Sequence, residues 1–508
     1  MKTALTRRTA LAALLAAPVV VRATTPAEAF DTTAAREPWR LPLKGVDDTT
    51  GSRDCAALSL SGRWPDGLRG RFYRNGPALY ERGGQRYRHW FDGDGMVQQF
   101  SIGGPAGAPV VAHRGRLVGT AKLRAEQRAG RFLVSAFGTG IVPDGRSPVQ
   151  GPDSFNTANT NAIEHAGQVL ALWEGGSAHA LDPADLQTRG PVTWGDGLAQ
   201  MPFSAHPKVD PQGQLWNIGT AGKRLVVWHI DAQGRLVSAR VGEQPLPGAM
   251  VHDMAVTAQH IVVPIPPLTM HFEHLLQGGR PDEALRFHAG EPLRILVMHK
   301  ADITQRRIFE LPPQMVFHVG NAFETADGAI ELSFIGAPGH HFLSQTAVAL
   351  MNGGPVTHPE PSRTQRVRLH LASGRSELQG FDDSVEFPRM DPRRVGAESR
   401  WLLTAASWRP RADTGFMHGL QLRDLATGRD TRFDYGEGRV AEEHILVPKP
   451  GRAGELDAWV LGTHFDSRQR VTVLSVFEAA ALADGPIAQA ALPYALPYGF
   501  HGNFTPSA

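Results

Sequence analysis

The chain has 508 residues, 42% of them hydrophobic, which is enough to bury a large core. Its 52 basic and 50 acidic residues leave a net charge of +2, and no basic run is long enough to follow a nucleic-acid backbone. The single cysteine, Cys55, excludes an intrachain disulfide framework and a thiolate zinc cluster, so histidine is the natural ligand for any transition metal.

Residues 1–29 read as a targeting segment. Lys2, Arg7 and Arg8 precede a short apolar run, Ala10 to Val21, too short to span a bilayer comfortably. Thr6-Arg7-Arg8-Thr9-Ala10-Leu11 resembles a twin-arginine export signal, with Ala27-Glu28-Ala29 as a candidate cleavage site before Phe30. A Sec-type signal or an uncleaved anchor is the alternative. The expectation is a periplasmic or secreted protein in which residues 30–508 form one domain. No later stretch has the length and apolarity of a transmembrane helix.

From about residue 40 the chain becomes a series of short apolar runs broken by glycine, proline, aspartate and asparagine. Residues 167–173, 224–230, 260–265, 293–298 and 471–476 each have strand length and β-branched content. Asp210-Pro211-Gln212-Gly213 and Asp231-Ala232-Gln233-Gly234 suit hairpin connections. With 55 glycines and 38 prolines, the chain is all-β, and many short strands in one large domain predict a propeller or a large barrel. Two stretches, residues 264–278 and 342–351, show helical spacing instead. They read either as a packed cap or as an apolar lip that touches a membrane and admits a lipid-soluble substrate. Asp92-Gly93-Asp94-Gly95 lacks the rest of a calcium loop and reads as a tight turn.

Four histidine stretches carry the chemistry: Ser204-Ala205-His206-Pro207-Lys208-Val209-Asp210, Val251-His252-Asp253-Met254, Phe317-His318-Val319-Gly320-Asn321 and Tyr498-Gly499-Phe500-His501-Gly502. His206 and His252 are 46 residues apart, about one four-stranded blade at repeat lengths of roughly 40–50. None of the four has the His-Glu-x-x-His spacing of a metalloprotease helix. Four neutral imidazoles suit iron, copper or zinc on ligand type alone.

With Phe72-Tyr73-Arg74-Asn75-Gly76-Pro77 and Trp90-Phe91-Asp92-Gly93-Asp94-Gly95-Met96, these motifs resemble the carotenoid cleavage oxygenase family, in family order, from about Leu41 to Phe504. That family includes apocarotenoid oxygenases, stilbene-cleaving dioxygenases and the retinoid isomerase of the eye. The resemblance implies a seven-bladed β-propeller with Fe(2+) on its axis, held by His206, His252, His318 and His501. It implies that Glu174, Glu386 and Glu443 orient three of those imidazoles, since a carboxylate accepting the free ring N–H fixes tautomer and direction. Glu442 is the rival for the third position, because the family usually has proline after that glutamate and His444 stands there. Thr160 matches a threonine that crowds one open iron position; a turn hydroxyl satisfying the backbone is the other role for it.

The activity implied is O2-dependent cleavage of a C=C bond into two carbonyl products, with no organic cofactor. Stilbene- and isoeugenol-cleaving relatives place lysine just before the first glutamate. This chain has Trp173, which suits an apolar carotenoid or apocarotenoid polyene better than a phenolate. Lys122 is the remaining nearby cation and reads as solvated surface. The alternatives are a stilbene or phenylpropanoid dioxygenase, an isomerohydrolase-like reaction, and a propeller that only binds. There is no Gly-x-Ser-x-Gly elbow and no P-loop.

Overall fold

The computed structural model describes residues 25–141, 150–271, 273–274, 284–357, 361–408 and 415–507. The twin-arginine stretch and its apolar run lie outside those residues, as does part of 264–278. Seven antiparallel sheets of four to six strands stand around one axis as the blades of a β-propeller. Six blades turn their first strand inward: Asn161–His165, Lys208–Val209, Ala255–Val256, Met315–Glu324, Val385–Arg389 and Arg439–Pro448.

The seventh blade closes the ring with both ends of the chain. Its axial strand is the C-terminal His501–Pro506, paired with Gly70–Asn75, and its outermost strand is Ser52–Cys55. The neighbouring blade takes Ser59–Gly62 as its outer strand, beyond Ala488–Ala491. This circular closure sets His501 opposite Asn75, in register with the Phe72–Pro77 motif. A propeller that seals itself in this way leaves no unzipped sheet beside the axis.

The runs Gln168–Leu172, Arg224–Ile230, His260–Ile265, Leu293–His299 and Val471–Glu478 are strands, as their β-branched content predicts. At the two hairpin turns, Gly213 N–H donates to Asp210 O at 2.8 Å and Gly234 N–H to Asp231 O at 2.9 Å. Both glycines take the left-handed backbone (φ 76° and 79°) that such turns demand. Within 342–351 the helical spacing is realised as a π turn, Phe342–Thr346, running into the helix Ala347–Asn352. Of 264–278, residues 273–274 are helical, 272 and 275–278 lie outside the described residues, and the earlier part is mainly strand. In that earlier part Leu268–Met270 is a short strand paired with Leu285–Phe287.

Lys122 also departs from expectation. It is fully buried on the helix Ala121–Ala129, with Nζ 2.9 Å from Asp94 and 3.0 Å from Glu126. A cation leaves water only where opposite charges and hydrogen bonds replace it, and this pair of carboxylates does so. Asp94 comes from the Asp-Gly-Asp-Gly run, which is a single 3-10 turn, Trp90–Asp92, leading into the strand Asp94–Gly103. Gly95 is obligatory there: a Cβ would lie 2.2 Å from the carbonyl oxygen of Ala158.

Candidate metal centre

The four histidines meet at the axis. Nε2 of His206 lies 3.0 Å from that of His252, which lies 3.3 Å from that of His318, which lies 3.1 Å from that of His501. The four nitrogens all fall within 4.8 Å of one another, and all four residues are buried.

Three carboxylates lie beside the other ring nitrogens: Glu386 and Glu443 are hydrogen-bonded to theirs, while Glu174 faces His252 at ion-pair distance without hydrogen-bond alignment. Glu174 Oε1 is 3.1 Å from His252 Nδ1, Glu386 Oε2 is 2.5 Å from His318 Nδ1, and Glu443 Oε1 is 2.9 Å from His501 Nδ1. Glu442 points elsewhere, ion-paired with Arg74 and accepting from Gly499 N–H at 2.8 Å. Thus the structure sets Glu443, not its neighbour, beside the ring. His444, standing where the family usually has proline, keeps its backbone strand-like; its ring is buried against Tyr435 Oη at 2.8 Å.

Irregular strand backbone makes this aim possible. Pairing register shifts between Val316 and Val319 around His318, between Glu386 and Arg389, and between Ala441 and His444 around the two glutamates. An extra residue in a strand re-aims its side chains, and the bulges put successive glutamates 442 and 443 onto different partners. Phe387, inside the second bulge, takes a left-handed backbone (φ 57°) that a bulky residue adopts only under constraint. Its ring stacks on His318 with centroids 5.4 Å apart and meets His501 at 5.5 Å.

The donor set fits a divalent transition metal. An Nδ1–H committed to a carboxylate leaves Nε2 as a bare lone pair, and these lone pairs converge on one point. Converging lone pairs repel unless a cation stands between them. At bond lengths of about 2.1 Å, adjacent ligands of a six-coordinate ion lie about 3.0 Å apart, and the edges here are 3.0, 3.1 and 3.3 Å. Electrostatics agree at His206 and His501, whereas at His318 burial, which would lower the ring, is outweighed by the Glu386 carboxylate and the ring is raised. Burial, with the neighbouring imidazoles, pushes the His206 ring well below its ordinary range, so it stays neutral and able to ligate. Burial holds His501 at about 4, partly offset by Glu443. Burial would raise Glu443, but Arg389 and His501 outweigh it and hold the carboxyl at about 2, ionised.

The centre opens onto a cavity of about 1460 Å³. Trp173, Phe91, Phe317, Phe342, Phe387 and Phe500 form its walls near the histidines. Thr160 lines the same space; its Oγ1 lies 3.2 Å from Asn159 Oδ1 and its N–H donates to Leu172 O.

A family model described as retinal pigment epithelial membrane protein matches residues 48–506. The chain belongs to this family, the carotenoid cleavage oxygenases. Apocarotenoid-15,15'-oxygenase of Synechocystis is 29% identical over 478 residues, covering 91% of this chain and 95% of the relative. Isoeugenol monooxygenase of Pseudomonas nitroreducens is 27% identical over 476 residues, covering 89% and 95%. Lignostilbene-alpha,beta-dioxygenase isozyme III of Sphingomonas paucimobilis is 28% identical over 480 residues, covering 89% and 94%. Among solved structures, the cobalt-substituted Synechocystis oxygenase superposes with a TM-score of 0.79 at 27% identity, covering 92% of this chain and 99% of that one. A tryptophan-to-alanine variant of the same protein gives 0.81 at 27% identity, covering 92% and 98%.

Within this oxygenase fold, other polar residues brace the histidine loops without having been singled out in the sequence. Arg389 lies 3.4 Å from Glu443 and donates to Asn503 Oδ1 at 2.8 Å. Asn503 donates to Asn161 Oδ1 at 3.0 Å, and Asn161 donates to Ala205 O at 2.8 Å, next to His206. Their signal in the sequence was adjacency: each lies within a few residues of a motif already read.

Proposed function

We propose that this carotenoid cleavage oxygenase is a non-haem iron(II) dioxygenase acting on a carotenoid or apocarotenoid. One C=C bond and one O2 are consumed, and two carbonyl compounds form, so R–CH=CH–R′ and O2 give R–CHO and R′–CHO. The observation that carries the proposal is the set of four buried imidazoles with converging Nε2 atoms at the wall of an aromatic cavity. His206, His252, His318 and His501 hold the metal, and Glu174, Glu386 and Glu443 fix three of the rings. Bound iron(II) supplies the redox chemistry that lets O2 react with an alkene.

The remaining work belongs to the cavity. Its aromatic walls strip water from a conjugated chain and hold one double bond at the axis, and Thr160 narrows the space beside it. Trp173 favours a polyene: an indole gives an apolar face where a lysine would seek a phenolate. The apocarotenoid oxygenase relative supports this substrate class, while the isoeugenol and lignostilbene relatives support the phenylpropanoid alternative. Incubating iron-loaded protein with an apocarotenal and, separately, with a hydroxystilbene decides between them. Aldehydes from the first alone support the proposal, and aldehydes from the second alone overturn its substrate. Ligand binding with no product from either would favour a propeller that only binds.

Residues 1–29 export the folded, metal-loaded chain, and residues 342–351, whose Phe342 and Thr346 line the cavity, admit substrate from a membrane face. Cell fractionation tests the first statement and vesicle co-sedimentation the second. Protein confined to the cytoplasm, or staying in the supernatant with vesicles, would remove each in turn.

A further inference from the structure

His206 differs from the other three ligands. Among the described residues no carboxylate lies at hydrogen-bonding distance from its ring: Glu174 Oε1 is 3.9 Å from its Nε2 and lies nearer His252 Nδ1, at 3.1 Å. Its ring packs against the other three imidazoles, and its loop is tied to the His252 loop by Ser204 Oγ, which donates to His252 O at 3.2 Å. The polar contact that ties this loop to the other ligand loops by charge is the ion pair between Lys208 Nζ and Asp253 Oδ1, at 2.8 Å. Asp253 is almost fully buried, and its side chain takes up three donors. Besides Lys208, it accepts Met254 N–H at 2.6 Å through Oδ1 and Val319 N–H at 2.8 Å through Oδ2. The three donors lie two residues after His206, two after His252 and one after His318. One carboxylate thus joins the loops of three ligands that sit on three successive blades.

We propose that Asp253, acting through Lys208, is a positioning residue for the metal centre that does for His206 what the three glutamates do for the other rings. It is not among the cavity-lining residues, so it acts on the ligand frame and not on substrate. A buried ion pair is a weak source of stability, because desolvation offsets most of its attraction. Its use here is geometric: the ammonium, held between a fixed carboxylate and its own backbone, sets where the His206 loop sits relative to His252 and His318. Asn161, donating to Ala205 O, holds the opposite side of the same loop. The inference rests on the histidine cluster binding a metal.

The test uses the full chain and Co2+ as the probe, with affinity measured by competition against a chelator and ligand geometry read from the visible Co2+ spectrum. Asp253→Asn should weaken Co2+ binding by about 10–100-fold, the usual range for groups that orient a metal ligand, and should alter the spectrum. Lys208→Arg, which keeps the ion pair, should preserve affinity and spectrum. Wild-type affinity and spectrum in Asp253→Asn would overturn the inference, even if the metal-free protein melted earlier, because the residue would then serve stability alone. Should Asp253→Asn fail to fold, Lys208→Met carries the same test with the same two outcomes. A wild-type chain that takes up no Co2+ overturns the metal reading itself, and this inference with it, which separates the two failures.

Discussion

Replacing Glu443 by glutamine, with Glu442→Gln beside it, isolates what a carboxylate contributes to this centre. Glu443 accepts from His501 Nδ1–H at 2.9 Å through Oε1 and from Gly502 N–H at 2.7 Å through Oε2, with Arg389 at 3.4 Å. A glutamine has one accepting oxygen, so its NH2 group must face one of those N–H donors. An unpaired buried donor costs about 1–3 kcal/mol, and Arg389 loses a countercharge besides. For metal affinity this translates to a loss of about 10–100-fold, or about 1.4–2.7 kcal/mol. Glu442→Gln instead loosens Arg74 and Gly499, and should lower the melting temperature while leaving affinity within about twofold of wild type. Competition of each variant against a chelator, with a melt of each metal-free protein, separates the two effects. Wild-type affinity in Glu443→Gln alongside a large loss in Glu442→Gln would refute the assignment and the physical reasoning behind it.

Glu174→Gln should weaken metal retention by about 10–100-fold by removing the negative charge 3.1 Å from His252 Nδ1, and metal content after dialysis reads it directly. Lys122→Met strands Asp94 and Glu126 in the core and should cost about 3–5 kcal/mol in urea unfolding; a loss below about 1 kcal/mol would mean the triad is not desolvated. Burial holds His89 and His444 at about 4 and His464 at about 3. Below about pH 6.5 the unfolded chain takes up protons that these folded rings refuse. Stability is therefore complete above that pH and falls toward pH 4, by about 1.4 kcal/mol per unit for each ring; urea midpoints that stay level across this window would contradict it. Trp173→Lys should lower turnover of an apocarotenal and raise that of a hydroxystilbene, and an unchanged ratio would show that this position does not select substrate.

Much of the fold was legible because strand and turn chemistry is local. The five apolar runs became strands and the Asp-x-x-Gly sequences became turns, since β-branched content and glycine at left-handed positions act over a few residues. What escaped was settled at long range. Leu268–Met270 became a strand because Leu285–Phe287 offered it a partner, and Lys122 went inward because Asp94, 28 residues upstream, was there to meet it. The same contrast runs through the metal centre. The histidine motifs stood out by their order along the chain, whereas the bulges at His318, Phe387 and Glu442–Glu443 depend on register against a neighbouring strand, which composition does not encode. Asp253 lay in plain sight beside His252, but only folding brings Lys208 and Val319 to its two oxygens.

The most direct test is anaerobic iron(II) titration of purified chain, followed by admission of air in the presence of an apocarotenal. The expected result is one iron per chain, no binding of comparable strength in His252→Ala, and two aldehydes that form only once oxygen and metal are both present. Undiminished product from thoroughly stripped protein would contradict a metal-centred oxygenase.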